Sequence, residues 1–139
     1  MSTSTLPDWA AEHMKNYLAT DGEDGHIWRG VPTLLLTTTG RKSGEPRMLP
    51  LIYGKHGDDV VIIASKGGHT DHPSWYINLD ANPAVEVQVA ADKFSATAIT
   101  ITGERRQAMW DALADIWPLY IEYQEKTDRQ IPVVLLQRN

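Results

Sequence analysis

Three apolar runs separated by short turns constrain the fold of this chain more than any other feature. Residues 33–39, 47–53 and 59–65 are rich in Leu, Ile and Val, and the segments between them are too short for a crossover helix. Parallel strands need such a crossover, so the pattern predicts an antiparallel meander of three strands. Pro50 predicts an edge or a bulge in the second strand, because proline donates no ladder hydrogen bond.

The rest of the chain adds strands and helices around this block. Two alternating segments and one apolar run predict further strands, over residues 84–90, 94–102 and 131–136. Helical spacing predicts helices over residues 7–20, 104–117 and 119–126, and a short helix after Pro73. In residues 84–90 the valines are expected to point inward, with Glu86 and Gln88 outward. Six largely antiparallel strands with helices predict a mainly β fold, a barrel with helices at its ends and sides.

Length and composition fit one globular domain over residues 1–139, in which residues 1–26 form an N-terminal tail and helix. The net charge of −5 argues against a nucleic-acid partner. The absence of cysteine excludes disulfides and thiolate metal sites. The first residues lack the basic and apolar regions of a signal peptide, so a cytoplasmic location is expected.

The N-terminal helix carries an apolar stripe of Ala10, Met14, Tyr17 and Leu18. The favoured interpretation is a helix docked on the core of the domain. The alternative is a peripheral contact with a membrane surface or an apolar substrate.

Two loops gather glycines, hydroxyls and cations. Residues 37–44 contain Arg41 and Lys42, and Arg47 follows shortly afterwards. Residues 65–69 contain Lys66 beside two glycines. In a meander these two loops lie at the same end of the sheet, so the four cations should crowd together and favour an anionic ligand. The alternative interpretation of these loops is an ordinary hairpin turn with solvated charges.

The aromatic residues near the C-terminus form a second candidate feature. Tyr120 and Tyr123 are three residues apart and share a helical face, with Trp110 and Trp117 just before them. Such a wall suits a planar heteroaromatic ligand, and core packing explains the same pattern equally well. His69 and His72 are interpreted as part of a polar loop, and no metal site is predicted.

Taken in order, four motifs resemble the deazaflavin-dependent nitroreductase family over residues 27 to 136. They are Leu34-Leu35-Leu36-Thr37-Thr38-Thr39-Gly40-Arg41-Lys42-Ser43-Gly44 with Pro46 and Arg47, Ala64-Ser65-Lys66-Gly67-Gly68, Pro73-x-Trp75-Tyr76-x-Asn78-Leu79-x-Ala81-Asn82-Pro83, and Tyr120-x-x-Tyr123-Gln124-x-x-Thr127-x-Arg129-x-Ile131-Pro132. The resemblance implies a split β-barrel that binds coenzyme F420. It also implies hydride transfer from the reduced coenzyme to a small-molecule acceptor, namely a quinone, a nitroaromatic or an activated alkene.

The resemblance also implies roles for individual residues. Those implied to hold the phosphate and acidic tail of the coenzyme are Arg41, Lys42, Ser43, Gly44 and Arg47. Those implied to line or buttress the deazaflavin ring are Pro50, Leu51, Ser65, Lys66, Gly67, Trp75 and Tyr76. Trp117, Tyr120 and Tyr123 would face the acceptor, and the catalytic candidates are Tyr120, Tyr123 and Ser65.

Two rival functions share the same pattern. A split barrel that binds flavin mononucleotide also needs a ring pocket beside a phosphate site, and a non-catalytic carrier of deazaflavin or an apolar ligand needs only the pocket. Trp117 stands where nitroimidazole-reducing members of the family carry tyrosine, which weakens the expectation of nitroreduction. Both a monomer and a homodimer agree with the sequence.

Overall fold

Eight strands and four helices are present in a computed structural model of the protein, which describes residues 8–28, 30–68 and 71–139. The helices are α1 (Asp8–Thr20), α2 (Ser74–Ala81), α3 (Gly103–Ile116) and α4 (Leu119–Glu125). The strands are β1 (Ile27–Trp28), β2 (Val31–Thr39), β3 (Pro46–Ile52), β4 (Gly54–His56), β5 (Asp59–Ile63), β6 (Ala84–Val89), β7 (Asp92–Ile101) and β8 (Val133–Arg138). The predicted helices and strands therefore form close to their expected positions. The prediction missed β1 and β4.

The strands form one antiparallel sheet whose two ends meet through a single residue. The hydrogen-bonded order runs β3-β2-β6-β7-β8-β5-β4, with β1 paired to the start of β2. Although β3 and β4 lie at opposite ends of this order, only Tyr53 separates them in sequence. The sheet must therefore curl until its ends approach, which gives the predicted split β-barrel with an opening between β3 and β5.

The predicted three-stranded meander is wrong. The second and third apolar runs, β3 and β5, are not paired, and residues 54–56 form a hairpin with β5 instead of a turn. The other neighbour of β5 is β8. Tyr53 turns the chain at the corner, where it is buried and its hydroxyl lies 2.8 Å from Nε2 of His26.

Two separate cores explain why β5 and β8 are apolar without interruption. Val60 and Ile62 of β5 face the barrel interior, together with alternate residues of β8. Val61 and Ile63 face the opposite side, where they pack against α3 and Tyr120 of α4. A strand covered on both faces has no reason to alternate polar and apolar residues.

Helix α1 docks on the barrel, as the favoured interpretation of its stripe predicts. Met14 and Tyr17 pack on Leu35 of β2. The Tyr17 hydroxyl accepts a hydrogen bond from the backbone N–H of Ala90 at 2.6 Å. Gln88, expected to point outward, is buried, and its amide donates to the Ala90 carbonyl. Within the described residues, no helix is long and apolar enough to cross a membrane.

Candidate functional site

The free edge of β3 forms one side of the opening in the barrel. The backbone N–H of Tyr53 donates to the Pro32 carbonyl at 3.3 Å. Because hydrogen-bonding direction alternates along a strand, Met48, Pro50 and Ile52 turn their backbone groups away from β2. The edge predicted from Pro50 is therefore present, and it faces the cavity described next.

The first of two neighbouring cavities has a volume of about 440 Å³, and we call it the aromatic cavity. It lies at the opening between β3 and β5, where α1, β1 and α4 contribute to its wall. Its lining residues are His13, Trp28, Thr33, Pro50, Leu51, Ile52, Ile63, Ser65, Lys66, Pro73, Trp75, Trp117, Tyr120 and Tyr123.

The second, the cationic cavity, has a volume of about 460 Å³. Its lining residues are Gly40, Arg41, Lys42, Ser43, Arg47, Met48, Leu49, Ser74, Trp75 and Asn78. Trp75 borders both cavities, so the two are neighbours and together form one candidate site. The fold thus brings together most of the sequence-predicted site residues, while Gly44 and Tyr76 line neither cavity.

A buried amide fixes Arg41 at the cationic cavity. Oδ1 of Asn78 accepts hydrogen bonds from the backbone N–H of Arg41 at 3.2 Å and from its guanidinium at 2.8 Å. The Asn78 amide nitrogen donates in turn to the Thr38 hydroxyl at 3.3 Å. The Arg41 guanidinium is thereby held by a neutral partner and keeps its full positive charge for a ligand.

The other cations of this cavity also have no acidic partner in the part of the chain that the structure describes. Arg47 donates to the Ser43 hydroxyl at 3.3 Å. Among the residues that the structure describes, no carboxylate forms an ion pair with Arg41, Lys42 or Arg47. In a chain of net charge −5, unneutralised cations at one cavity create a local attraction for anions.

The turn that carries these cations depends on Gly44. The backbone N–H of Gly44 donates to the Gly40 carbonyl at 2.8 Å, and the N–H of Gly40 donates to the Glu45 carbonyl at 2.8 Å. Gly44 has φ of +74°, a conformation that side chains disfavour. Its position in the structure is that of a residue shaping the turn.

The second cationic loop is held in place by Arg129. Its guanidinium donates to the carbonyls of Ala64 at 3.2 Å and Ser65 at 2.7 Å. It also lies 3.0 Å from Nδ1 of His72, and burial together with this cation lowers the pKa of His72. His69, the other histidine of the predicted pair, lies outside the described residues. Ser65 and Lys66 are consequently positioned at the aromatic cavity by a side chain from a distant loop.

Tyr120 and Tyr123 pack in the hydrophobic core and also line the aromatic cavity. Tyr120 is only 4% exposed and packs on Trp110 with 6.1 Å between ring centroids, yet it also lines the aromatic cavity. The Tyr123 ring meets it edge-on at 6.2 Å, which confirms that the two share a face. Burial, with a smaller effect from Tyr123, raises the pKa of Tyr120 well above its ordinary value. Across the cavity wall, Trp28 packs on Trp117 at 5.8 Å.

Six lining residues of the aromatic cavity were not identified as site residues from the sequence, namely His13, Trp28, Thr33, Ile52, Ile63 and Pro73. Trp28 comes from the segment predicted as loop, and Thr33 from the start of a core strand. His13 comes from α1, and its single sequence signal is its position one helical turn before Tyr17. Nε2 of His13 and the Thr33 hydroxyl both lie 2.6 Å from the Gly25 carbonyl.

Comparison with known proteins places the chain in a family. A sequence model of the F420H(2)-dependent quinone reductases matches residues 9–138. An F420H(2)-dependent quinone reductase of Mycobacterium tuberculosis (strain H37Rv) is 41% identical over 135 residues, which cover 91% of this chain and 87% of that protein. A solved F420-H2 dependent reductase is 43% identical with a TM-score of 0.72, covering 81% of this chain and 98% of its own.

More distant structures share the fold. A nimC/nimA family protein from Clostridium acetobutylicum is 15% identical with a TM-score of 0.54, covering 88% of this chain and 81% of its own. The family assignment rests on the nearer matches and on the nearly full length of the family alignment. The chain therefore belongs to the F420H(2)-dependent quinone reductase family, whose members are oxidoreductases that use the coenzyme F420.

Proposed function

We propose that the protein reduces a quinone with the reduced coenzyme F420, bound across the two cavities. The observation that carries this proposal is the junction of an aromatic cavity and a cationic cavity at Trp75. The coenzyme combines a planar ring with a phosphate and a polycarboxylate tail. The aromatic cavity suits the ring, and the cationic cavity suits the tail. When bound, the reduced coenzyme supplies a hydride.

The cations of the first loop would hold the tail of the coenzyme. Arg41, Lys42 and Arg47 border the cationic cavity and have no acidic partner among the described residues, and the Ser43 hydroxyl accepts from Arg47. Gly44 would contribute by keeping the turn in shape. Charge-assisted hydrogen bonds from guanidinium groups suit phosphate and carboxylate oxygens.

The edge strand and the second loop would hold the ring. Pro50 and Leu51 line one side of the aromatic cavity, and Ser65 and Lys66 line another, with Gly67 in the turn that follows. The Lys66 ammonium, which borders the aromatic cavity, would donate a charge-assisted hydrogen bond to an oxygen of the bound ring. Trp75 and Tyr76 would support the ring from α2, where their own rings pack edge-on at 6.4 Å.

The aromatic wall would face the acceptor. Tyr120 makes no hydrogen bond through its hydroxyl within the described part of the chain, so the O–H is free to donate to a carbonyl oxygen. Trp117 and Tyr123 supply flat apolar surface for a planar ring. A quinone is a planar, electron-poor ring and is therefore suited to this wall. Nitroaromatics and activated alkenes share the planar, electron-poor character and belong to the same proposal.

Parallel titrations with F420 and flavin mononucleotide test the cofactor, followed by oxidation of the reduced coenzyme with and without a quinone. We expect F420 to bind more tightly and to be reoxidised only when both protein and quinone are present. Tighter binding of flavin mononucleotide would favour the flavin alternative. Coenzyme binding without turnover of any acceptor would favour a carrier.

Lys42→Ala and Arg41→Ala are each expected to weaken F420 binding by about 1–3 kcal/mol, the range for hydrogen bonds to charged groups. Affinity of the native protein should also fall as salt is raised, because the tail is anionic and the cations are exposed. Fluorescence titration of F420 at several salt concentrations measures both effects. Lys55→Ala, an exposed cation that lines neither cavity, is the matched control. Salt-independent binding that both variants retain would exclude this site.

Tyr120→Phe is expected to lower kcat/KM for the quinone about tenfold, the equivalent of about 1.4 kcal/mol for one lost hydrogen bond. F420 affinity should stay unchanged, since the tail lies in the other cavity. Tyr120→Ala should additionally raise the KM of the quinone, because it removes a wall of the aromatic cavity. Steady-state kinetics and thermal unfolding of each variant are measured together. If Tyr120→Phe changes only the melting temperature, the hydroxyl has no part in the reaction.

A further inference from the structure

His72 contacts the side chain that holds Ser65 and Lys66 at the aromatic cavity. The Arg129 guanidinium donates to the carbonyls of Ala64 and Ser65. Its Nη1 also lies 3.0 Å from Nδ1 of His72. Guanidinium nitrogens only donate, so Nδ1 must be the acceptor and His72 must be the neutral ring with its hydrogen on Nε2. The hydrogen bonds beside the cavity therefore require one protonation state of a histidine.

Protonation of His72 places a hydrogen on Nδ1 and removes that acceptor. Two donors would then face each other, and a positive imidazolium would lie beside a guanidinium that is always charged. The Nη1 atom of Arg129 that contacts His72 is also the donor to the Ala64 carbonyl at 3.2 Å. If Arg129 moves away from a charged ring, the hydrogen bonds that hold the chain just before Lys66 are disturbed.

The surroundings of His72 favour the neutral ring at neutral pH. Among the described residues, the charges that act on it are those of Arg129, Asp71 and Asp80, and the Tyr76 ring packs on it with 4.9 Å between centroids. Burial and Arg129 lower the pKa of His72, and together they outweigh the two aspartates, which raise it. The contact with Arg129 is therefore complete above the ordinary histidine pKa and is lost as the pH falls through the lowered value.

We propose that His72 is a positioning residue for the coenzyme site, which holds Lys66 in place through Arg129 while neutral and releases it on protonation. The inference rests on the function proposed above, in which the Lys66 ammonium bonds to the ring of the coenzyme. Lys66 has φ of +47°, a conformation that side chains disfavour, so it depends on its surroundings to keep its place. Coenzyme affinity should therefore fall as the solution is acidified.

Calorimetric titrations with F420 at about pH 7.5 and about pH 5.5 compare the native protein with His72→Asn. The amide oxygen of asparagine takes the place of Nδ1 and accepts from Arg129, but it is not protonated in this range. On acidification we expect the affinity of the native protein to fall about five- to tenfold more than that of His72→Asn, within the limit of about tenfold per pH unit for one proton. Ionisation of the coenzyme itself is common to both proteins, so it cancels in this comparison.

Two further variants separate the lost acceptor from the gained charge. In His72→Gln the amide lies where Nε2 stood, so the acceptor for Arg129 is missing at every pH. We expect its affinity at about pH 7.5 to be about fivefold below that of His72→Asn, the equivalent of one ordinary hydrogen bond. His56→Asn is the matched control, because His56 is an exposed histidine of β4 that lines neither the aromatic nor the cationic cavity. This variant should keep the native dependence on pH.

A pH titration without coenzyme gives an independent readout. In nitrogen NMR of the native protein, the Nδ1 resonance of His72 and the backbone amides of Ser65 and Lys66 should shift with one common midpoint, below the ordinary histidine pKa. In His72→Asn the two amides should show no transition at that midpoint.

An equal fall in affinity in the native protein and in His72→Asn would overturn the proposal. If that variant fails to fold, amides of Ser65 and Lys66 that stay unchanged while His72 titrates in the native protein overturn it instead. If the native protein binds no F420, the proposed function fails, whereas the NMR titration still decides whether His72 controls the position of this segment.

Discussion

Gly68→Ala is expected to lower kcat/KM about 100-fold and the free energy of unfolding by more than about 3 kcal/mol. A Cβ at this position would lie 2.5 Å from the carbonyl oxygen of Tyr123 and 2.9 Å from its Cα. Both are backbone atoms, so the loop or α4 must move. Lys66 and Tyr123 line the aromatic cavity from these two segments, so any movement displaces the proposed ring and acceptor positions together.

Gly57→Ala is the matched control for this prediction. Gly57 also has a positive φ, +63°, but an added Cβ there meets no atom within 4 Å. Its cost should be the backbone strain alone, about 1–2 kcal/mol, with native turnover. Urea unfolding and steady-state kinetics compare the two variants. Equal losses in both would mean that contact with α4 has no influence.

Tyr17→Ala is expected to lower the free energy of unfolding by about 3–5 kcal/mol, as for other large buried aromatic side chains. Tyr17 is fully buried and joins α1 to β2 and to the turn after β6, because its hydroxyl donates to the Thr33 carbonyl at 3.1 Å and accepts from the N–H of Ala90. Burial raises the pKa of Tyr17, so the hydroxyl stays protonated and able to donate.

Tyr17→Phe is the comparison that separates the ring from the hydroxyl. It keeps the packing and leaves the Ala90 N–H without its partner, at a cost of about 1–3 kcal/mol. Chemical denaturation of both variants measures the two contributions. If the phenylalanine variant loses as much stability as the alanine variant, burial of the ring contributes nothing, and the docking of α1 depends on hydrogen bonds alone.

Local patterns predicted six of the eight strands that the structure describes, but not all of their pairings. The apolar run of β5 identified a strand, yet its partners depend on the corner at Tyr53, which carries no recognisable turn sequence. The short strand β4 was missed because Gly54 and Gly57, which flank it, are typical of an ordinary turn. Gln88 is buried by neighbouring elements, and the alternating pattern of its own segment does not indicate this burial.

The candidate site was predictable only where it is built from local motifs. Arg41, Lys42 and the tyrosines of α4 lie in segments whose composition points to a ligand. His13 and Trp28 reach the aromatic cavity from α1 and β1, and a single residue of this kind has no spacing that identifies it. Their role arises from how distant elements pack.

The unpaired edge of β3 has a consequence for how copies of the chain meet each other. Such an edge is a template on which the strand of another molecule can add and begin aggregation. Met48 and Ile52 offer free backbone groups there, but Pro50 between them has no N–H to give. An added strand would therefore meet a break in the middle of its ladder. The same opening that we propose admits a quinone thus discourages the addition of a strand from a second polypeptide.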